Sequence, residues 1–415
     1  MNAETIATLN GWQRRGALLD ETRATFRRWL HLPDTGVLDI VLGAVAANRV
    51  EGDPVWLLLV GPPGGGKSEI LNAIVGLEET FATATLTEAA LLSGTPKREK
   101  APDAKGGLLR AIGERGIIVC KDFGSVLNMN RDARAAVLAA LREVFDGSWT
   151  RHVGTDGGRT LAWSGKVGFI GGCTPTIDRH HAVMGAMGER FTLYRLPPAD
   201  PDAQARQALR HAGREKQMRR ELAKAAAAVV EALDAPRERS EEETDRLVAL
   251  ATFVVRARST VERDGHTREI ELVSDPEAPT RLVIMLDRLL AGLDAIGCDR
   301  AEALALVTKA ALDSIPALRL AVIATLDAED DLDTNAIAEA VRHPATTTRR
   351  TLEDLVAHGL VLCRRQGEGK AHRWSLSAFA RARLRTFPEM SSNTRSGRDK
   401  GKGDDDLLTF RERSA

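Results

Sequence analysis

The sequence predicts an α/β fold in which a parallel sheet lies between helices, followed by a helical subdomain and a small C-terminal unit. Three observations carry this. The run PVWLLLVG (54–61) is continuously apolar and cut off by glycines, as a strand buried on both faces would be. It leads into GPPGGGKS (61–68), which opens the helical stretch SEILNAIVGL. Further apolar runs at 117–120, 167–172 and 191–196 alternate with helical patterns, and strands alternating with helices imply a parallel sheet.

In chain order, residues 5–50 read as helices with apolar residues at helical spacing, ending in TGVLDIVLGAVAANRV. The strands and helices of the core follow, to about residue 198. DARAAVLAALREVF is a helix, SWTRHVGTDGGRTLAW a hairpin turning at Asp156-Gly157, and KVGFIGGCTPT a strand ending in polar Thr174. Residues 199–313 are mainly helical, interrupted by a hairpin turning at Asp264-Gly265. Residues 314–387 form a third unit of short helices closed by a hairpin. The tail, 388–415, is polar and charge-segregated, the composition of a disordered segment.

The bulk numbers exclude several classes. At 415 residues the chain accommodates two or three domains, each with its own core. Lys+Arg and Asp+Glu balance at 58 each, so any basic surface is local. Cys120, Cys173, Cys298 and Cys363 form no CxxC pair, and no metal-ligand spacing appears. No window reaches the ~18 uncharged apolar residues of a membrane span, and no apolar leader opens the chain. The expectation is a cytoplasmic protein without a membrane partner.

GPPGGGKS fits G-x-x-x-x-G-K-[ST] between a strand and a helix, the context that pattern requires. Glycines let backbone N–H groups close around phosphate oxygens, and the helix N-terminus adds a favourable dipole. Lys67 would reach the β- and γ-phosphates and Ser68 would hold Mg²⁺. The expected nucleotide-binding residues are Gly61, Gly64, Gly65, Gly66, Lys67, Ser68 and Glu69, with ATP and Mg²⁺ as the bound groups.

A second station is expected where GIIVCKDFGSVL (116–127) ends its strand. Two registers are open. In one, Asp122 is the magnesium acid and Phe123 stands where a glutamate would polarise water. In the other, Lys121 takes the magnesium position and Asp122 the water position. A cation is disfavoured beside a metal, so charge favours the first, and neither supplies two acids. Asp122 could also serve only as a helix N-cap.

The order of these motifs resembles the AAA+ ATPases over roughly residues 30–310. It is most similar to the branch with a hairpin inserted before the sensor strand, which includes minichromosome-maintenance helicases and enhancer-binding activators. The activators' GAFTGA loop is absent. The resemblance implies that Thr174 is sensor 1, that Arg190 in GERF is the arginine finger, and that Arg281 is the sensor 2 arginine of a helical lid (199–313). It also implies a homo-oligomeric ring, since the finger acts across a subunit interface. In related helicases the hairpin touches DNA, here with Arg151, His152 and Arg159; a subunit contact or a solvated hairpin is the alternative.

The segment 333–377 resembles a winged helix-turn-helix. Hydroxyl residues and arginines head its second helix, and LVLCRRQGEGKAHRWSL gives two strands around Gly367–Gly369, a wing. Residues 341–389 carry ten Lys+Arg against four Asp+Glu, a local +6. The expected DNA contacts are Thr347, Arg349, Arg350, Arg364, Arg365, Lys370 and Arg373, although winged helices also dock proteins. The functional expectation is an ATP-hydrolysing AAA+ protein that couples turnover to DNA loading, remodelling or translocation. An ATP-gated transcriptional regulator with slow hydrolysis, or a scaffold that barely hydrolyses, are the alternatives.

Overall fold

The computed structural model describes residues 3–94, 106–154, 157–185, 189–365 and 371–387, with the backbone alone for 3–10. Asp156, residues 367–369 expected to form a wing, Lys370 and the tail 388–415 lie outside the described residues. The chain divides into two compact units, residues 1–320 and 321–415, each described by itself.

The first unit opens with α1 (Ala3–Trp29) and α2 (Gly36–Arg49). α2 is buried from Gly36 to Asn48, as a helix apolar on all sides must be. Its one acid, Asp39, is met by Arg23 of α1 at 2.8–3.2 Å, and Arg23 also pairs with Glu302 at 2.9 Å. Burial outweighs the guanidinium and pushes the Asp39 carboxyl up to about 6.

Seven strands follow: β1 (Trp56–Val60), β2 (Thr80–Thr83), β3 (Arg115–Cys120), β4 (Ser148–Val153), β5 (Arg159–Ser164), β6 (Lys166–Cys173) and β7 (Thr192–Arg195). Five form a parallel sheet in the order β2-β3-β6-β1-β7, which is the expected α/β layer, and β4 pairs with β5 as an antiparallel hairpin. Between them lie α3 (Lys67–Ile74), α4 (Glu88–Leu91), α5 (Leu108–Ile112), α6 (Gly124–Leu127), α7 (Arg131–Phe145) and α8 (His181–Gly185).

The pleat sorts the two faces of the sheet. Trp56 of β1 and Phe169 of β6 are register neighbours on one face. They join Phe123, Phe145 and Phe191 in an aromatic cluster with ring centroids 4.9–5.7 Å apart. The opposite face of β6 carries Gly168 and Gly172, where an added Cβ would meet Asn48 of α2 at 2.4 Å and Leu71 of α3 at 3.3 Å. Small residues there let both helices lie close on the sheet.

After the sheet come α9 (Pro201–His211), α10 (Glu215–Glu231), α11 (Glu241–Arg258), a hairpin of β8 (Val261–Arg263) and β9 (Ile270–Val273), α12 (Thr280–Ala295) and α13 (Arg300–Asp313). α12 crosses α2 where Gly292 meets Gly43. A Cβ on Gly292 would lie 2.0 Å from Gly43 O and 2.8 Å from Ala47 N, both backbone. Next to this crossing, Arg288 donates to the carbonyls of Ala47, Val50 and Glu51, and Lys166 also donates to Val50 O. Cations thus complete the carbonyl end of α2.

A largely buried polar cluster joins α8, the residues before β7 and the end of α11. His181 Nε2 donates to Arg258 O at 2.6 Å, which leaves Nδ1 as an acceptor 3.3 Å from Glu189. Arg258, with a side chain 2% exposed, sits between Glu189 at 3.2 Å and Glu277 at 3.0 Å. Burial pushes Glu189 up to about 7 and His181 down to about 3.

α14 (Ala317–Ala328) runs into the second unit, which contains β10 (Leu332–Asp333), α15 (Thr334–Val341), α16 (Ala345–Ala357), β11 (Val361–Arg364), β12 (Arg373–Leu376) and α17 (Ala378–Leu384). The three strands are antiparallel in the order β10-β12-β11. Asp333 caps α15 by accepting from the amides of Asn335 and Ala336 at 2.9 Å each. α15 ends on Arg342 at φ 55°, and Pro344 starts the next helix. Ile337, Leu352, Leu355, Trp374 and Leu376 fill the core, with Trp374 Nε1 bonded to Thr334 Oγ1 at 2.9 Å. Among the described residues no helix is long and apolar enough to cross a membrane.

Two predictions follow from this packing. Gly292→Ala should destabilise the first unit by about 1–3 kcal/mol, because backbone rather than a movable side chain blocks the new methyl; a lower urea midpoint is the readout. The second concerns the proton between Glu189 and His181. Folded, the pair keeps one proton from pH ~7 down to ~3, on Glu189. Unfolded, it holds one between the ordinary values of 6.5 and 4.5, on the histidine, and two below 4.5. The pair therefore adds little pH dependence from 7 to 4.5 and loses stability below that. In Glu189→Gln only the histidine titrates, so stability should fall from pH 6.5 downward by about 1.4 kcal/mol per unit. Equal slopes for both proteins between pH 6.5 and 5 would refute the shared proton.

Candidate functional site

Because the five strands run parallel, Val60, Cys120, Cys173 and Arg195 end along one edge of the sheet. The glycine loop, residues 61–66, leaves β1 there and turns into α3. Gly61 N donates to Cys173 O at 3.1 Å and Leu196 N to Val60 O at 2.8 Å, which fixes the start of the loop between β6 and β7. Gly64 at φ 77° and Gly66 at φ 83° take the left-handed conformation that side chains resist. Among the described residues the amides of Gly64, Gly66, Lys67 and Ser68 donate to no protein acceptor. They converge at a helix N-terminus, where an anion is favoured.

Lys67 is 8% exposed, and its Nζ donates to Gly61 O and Pro62 O, each at 2.7 Å. The ammonium thus closes the loop on its own carbonyls. Burial lowers the Lys67 pKa, opposed by the nearby Cys173 and Asp122. Ser68 is exposed beside it.

Two strands away, β3 delivers Lys121 and Asp122 to the same edge, both exposed. The next residue, Phe123, is 0% exposed: its amide donates to Gly172 O at 2.8 Å and its ring enters the aromatic cluster. A Cβ on Gly172 would lie 2.7 Å from Lys121 O, so glycine lets this extension of β3 run against β6. The two charged residues face different neighbours. Asp122 acts on Lys67, whereas Lys121 acts on Glu69. Thr174 follows the end of β6, the strand between β3 and β1, with its Oγ1 2.6 Å from Thr176 Oγ1. The structure therefore brings Gly61, Gly64, Gly65, Gly66, Lys67, Ser68, Glu69, Asp122 and Thr174 to one edge.

Arg190 and Arg281 are not at this edge. Arg190 precedes β7, is 4% exposed, and pairs with Asp146 at 2.8 Å over the Phe145 ring at 5.4 Å. Arg281 lies 6.0 Å from the same ring and pairs with Glu277 at 2.7 Å. Phe145 packs on Trp56, the first residue of β1, and the strand's rise puts that end roughly 13 Å from Val60. The two arginines thus share a site at the beginning of the strands. In the hairpin, Arg151 turns inward to Glu88 at 3.0 Å and Leu92 O at 2.6 Å, and His152 bonds Thr160 at 3.0 Å across the strands. Arg159 starts β5, paired with Val153.

Two residues that the sequence did not single out reach the loop. Gln204 of α9 donates to Gly64 O at 2.9 Å, and Arg219 of α10 binds the Glu69 carboxylate at 2.8 and 3.0 Å. The guanidinium holds the Glu69 carboxyl below its ordinary range. Both are polar residues more than 130 positions from their partners, so no local pattern marks them.

In the second unit Thr347, Arg349 and Arg350 lie exposed on the first half of α16, with Arg349 paired to Glu353 at 3.0 Å. Arg364 and Arg373 face each other across β11 and β12 and share Asp331, at 2.8 and 3.3 Å. Arg365 is exposed beyond β11.

No family model and no curated protein matches this chain. Among solved structures, one described as the A form apo structure of NrS-1 C terminal region-CTR is similar at 11% identity, covering 87% of this chain and 76% of that one. Its TM-score of 0.24 is too low to carry an argument about this chain.

Proposed function

We propose that the chain is a P-loop ATPase of the AAA+ kind whose C-terminal unit is a DNA-binding winged helix, with ATP turnover coupled to loading, remodelling or translocation on DNA. One observation carries the nucleotide half: a glycine loop with unpaired amides, a buried lysine and an exposed acid converge where parallel strands end. The donor set suits a triphosphate, because four amides, Lys67 and the α3 N-terminus are all cationic or donor groups. Ser68 and Asp122 are the oxygen ligands available to Mg²⁺, which would neutralise charge on the phosphoryl oxygens. On this reading Thr174, one residue past β6, would orient a water.

The acid station favours slow hydrolysis. Phe123 is locked into the aromatic cluster, so the residue after Asp122 supplies no second carboxylate at the edge. This supports the alternative of an ATP-gated DNA-binding regulator. A finger role for Arg190 requires it to leave Asp146 in an assembled oligomer.

The DNA half rests on the order β10-α15-α16-β11-β12 and on the arginines exposed on α16 and the hairpin.

Lys67→Ala should abolish ATP binding measured by calorimetry, and Asp122→Asn should leave binding largely intact while lowering turnover by at least about tenfold. Normal turnover in Asp122→Asn would remove it from the metal site. In the same assay, Arg190→Ala should spare binding and lower the turnover of an assembled form. Turnover independent of protein concentration and of Arg190 would count against a ring. Arg349→Ala combined with Arg350→Ala should weaken duplex binding uniformly across sequences and flatten its salt dependence by about two units of log–log slope. An unchanged salt slope would place DNA elsewhere, or nowhere, on this unit.

A further inference from the structure

The glycine loop is held from outside at two points, both by the helices that follow the sheet. Gln204 of α9 takes the Gly64 carbonyl, and Arg219 of α10 takes the Glu69 carboxylate with both Nε and Nη2. Residues 64 and 69 bracket the segment whose amides point at any bound anion. α10 packs along α3 on one side and α1 on the other, so its position is tied to that of the loop.

The Arg219 side chain is 55% exposed and Glu69 22%. An ion pair this open is largely screened by solvent, so surrendering it costs little. Glu69 lies in the first turn of α3, one residue after Ser68 and two after Lys67. A polyphosphate on the loop would place several anionic oxygens beside that turn, against the single charge of one carboxylate. A guanidinium binds phosphate oxygens in the same bidentate way as a carboxylate, and the more highly charged acceptor wins the competition.

We propose that Arg219 is a nucleotide-responsive arginine: Glu69 holds it when the loop is empty, and it transfers to phosphate oxygens of a nucleoside polyphosphate bound at the loop. The inference rests on the nucleotide reading of residues 61–68 and adds a ligand from α10 to it. Glu69 is then a competitor of the nucleotide rather than one of its contacts. Because Arg219 belongs to α10, the exchange also makes the position of that helix depend on occupancy.

The test is calorimetric titration of the full chain with Mg²⁺–ATP and Mg²⁺–ADP, comparing wild type, Arg219→Ala, Arg219→Lys and Glu69→Gln. Arg219→Ala should weaken binding about tenfold, ~1.4 kcal/mol, and Arg219→Lys should weaken it less. Glu69→Gln should strengthen it several-fold, since the competitor has lost its charge. A residue that merely fastens α10 would respond differently, because breaking the pair from either side would then shift affinity in the same direction. Same-direction effects of Arg219→Ala and Glu69→Gln, or unchanged affinity in Arg219→Ala with normal wild-type binding, overturn the proposal alone. No binding by the wild-type chain overturns the nucleotide reading and this inference with it.

Discussion

The contact of Gly43 with Gly292 is the constraint on which the first unit depends. Backbone lies against backbone there, with no room for a side chain on Gly292, so α12 packs close on α2. α2 itself is buried on every side: against β1, β3 and β6, against α12, and through Asp39 against Arg23 of α1. One helix therefore couples the parallel sheet to the helices that follow it. The cations that complete its carbonyl end come from α12 and β6, so the same partners that pack on α2 also satisfy its polar terminus.

The sheet separates two kinds of chemistry by strand direction. Where the strands end, unpaired backbone amides and a buried Lys67 lie beside the exposed Asp122. Just before β7, by contrast, Arg190 pairs with Asp146, and Arg258 lies between Glu189 and Glu277. Between the edges, the aromatic cluster gives β1, β6 and the start of α6 a common anchor. It draws Phe123 inward, while Lys121 and Asp122 before it stay exposed at the strand end.

Much of this was legible because burial writes itself into composition. The strands β1, β3, β6 and β7 appear as apolar runs, α2 as an unbroken apolar helix, and the glycine loop as a spaced motif. β2 was not legible: Thr80–Thr83 is a half-buried edge strand whose TFAT has no apolar run to mark it. The order of motifs placed Arg190 and Arg281 along the chain but could not give the directions of their side chains. Those are set by Phe145 and by the acids Asp146 and Glu277, two of them far away in sequence from Arg281. Gln204 and Arg219 were invisible for the same reason: a polar residue on a helix gives no sign of which distant backbone it will touch.

The bond from Lys67 to its own loop carbonyls has one more consequence. The loop carries an internal plug, an ammonium that already satisfies Gly61 O and Pro62 O. On the nucleotide reading proposed above, an anion that drew this ammonium off its carbonyls would have to offset charge-assisted hydrogen bonds worth about 1.5–3 kcal/mol each. A ligand with several charged oxygens would do so, and a monoanion such as chloride would not. Such a loop would screen solutes by valence before it screened them by shape.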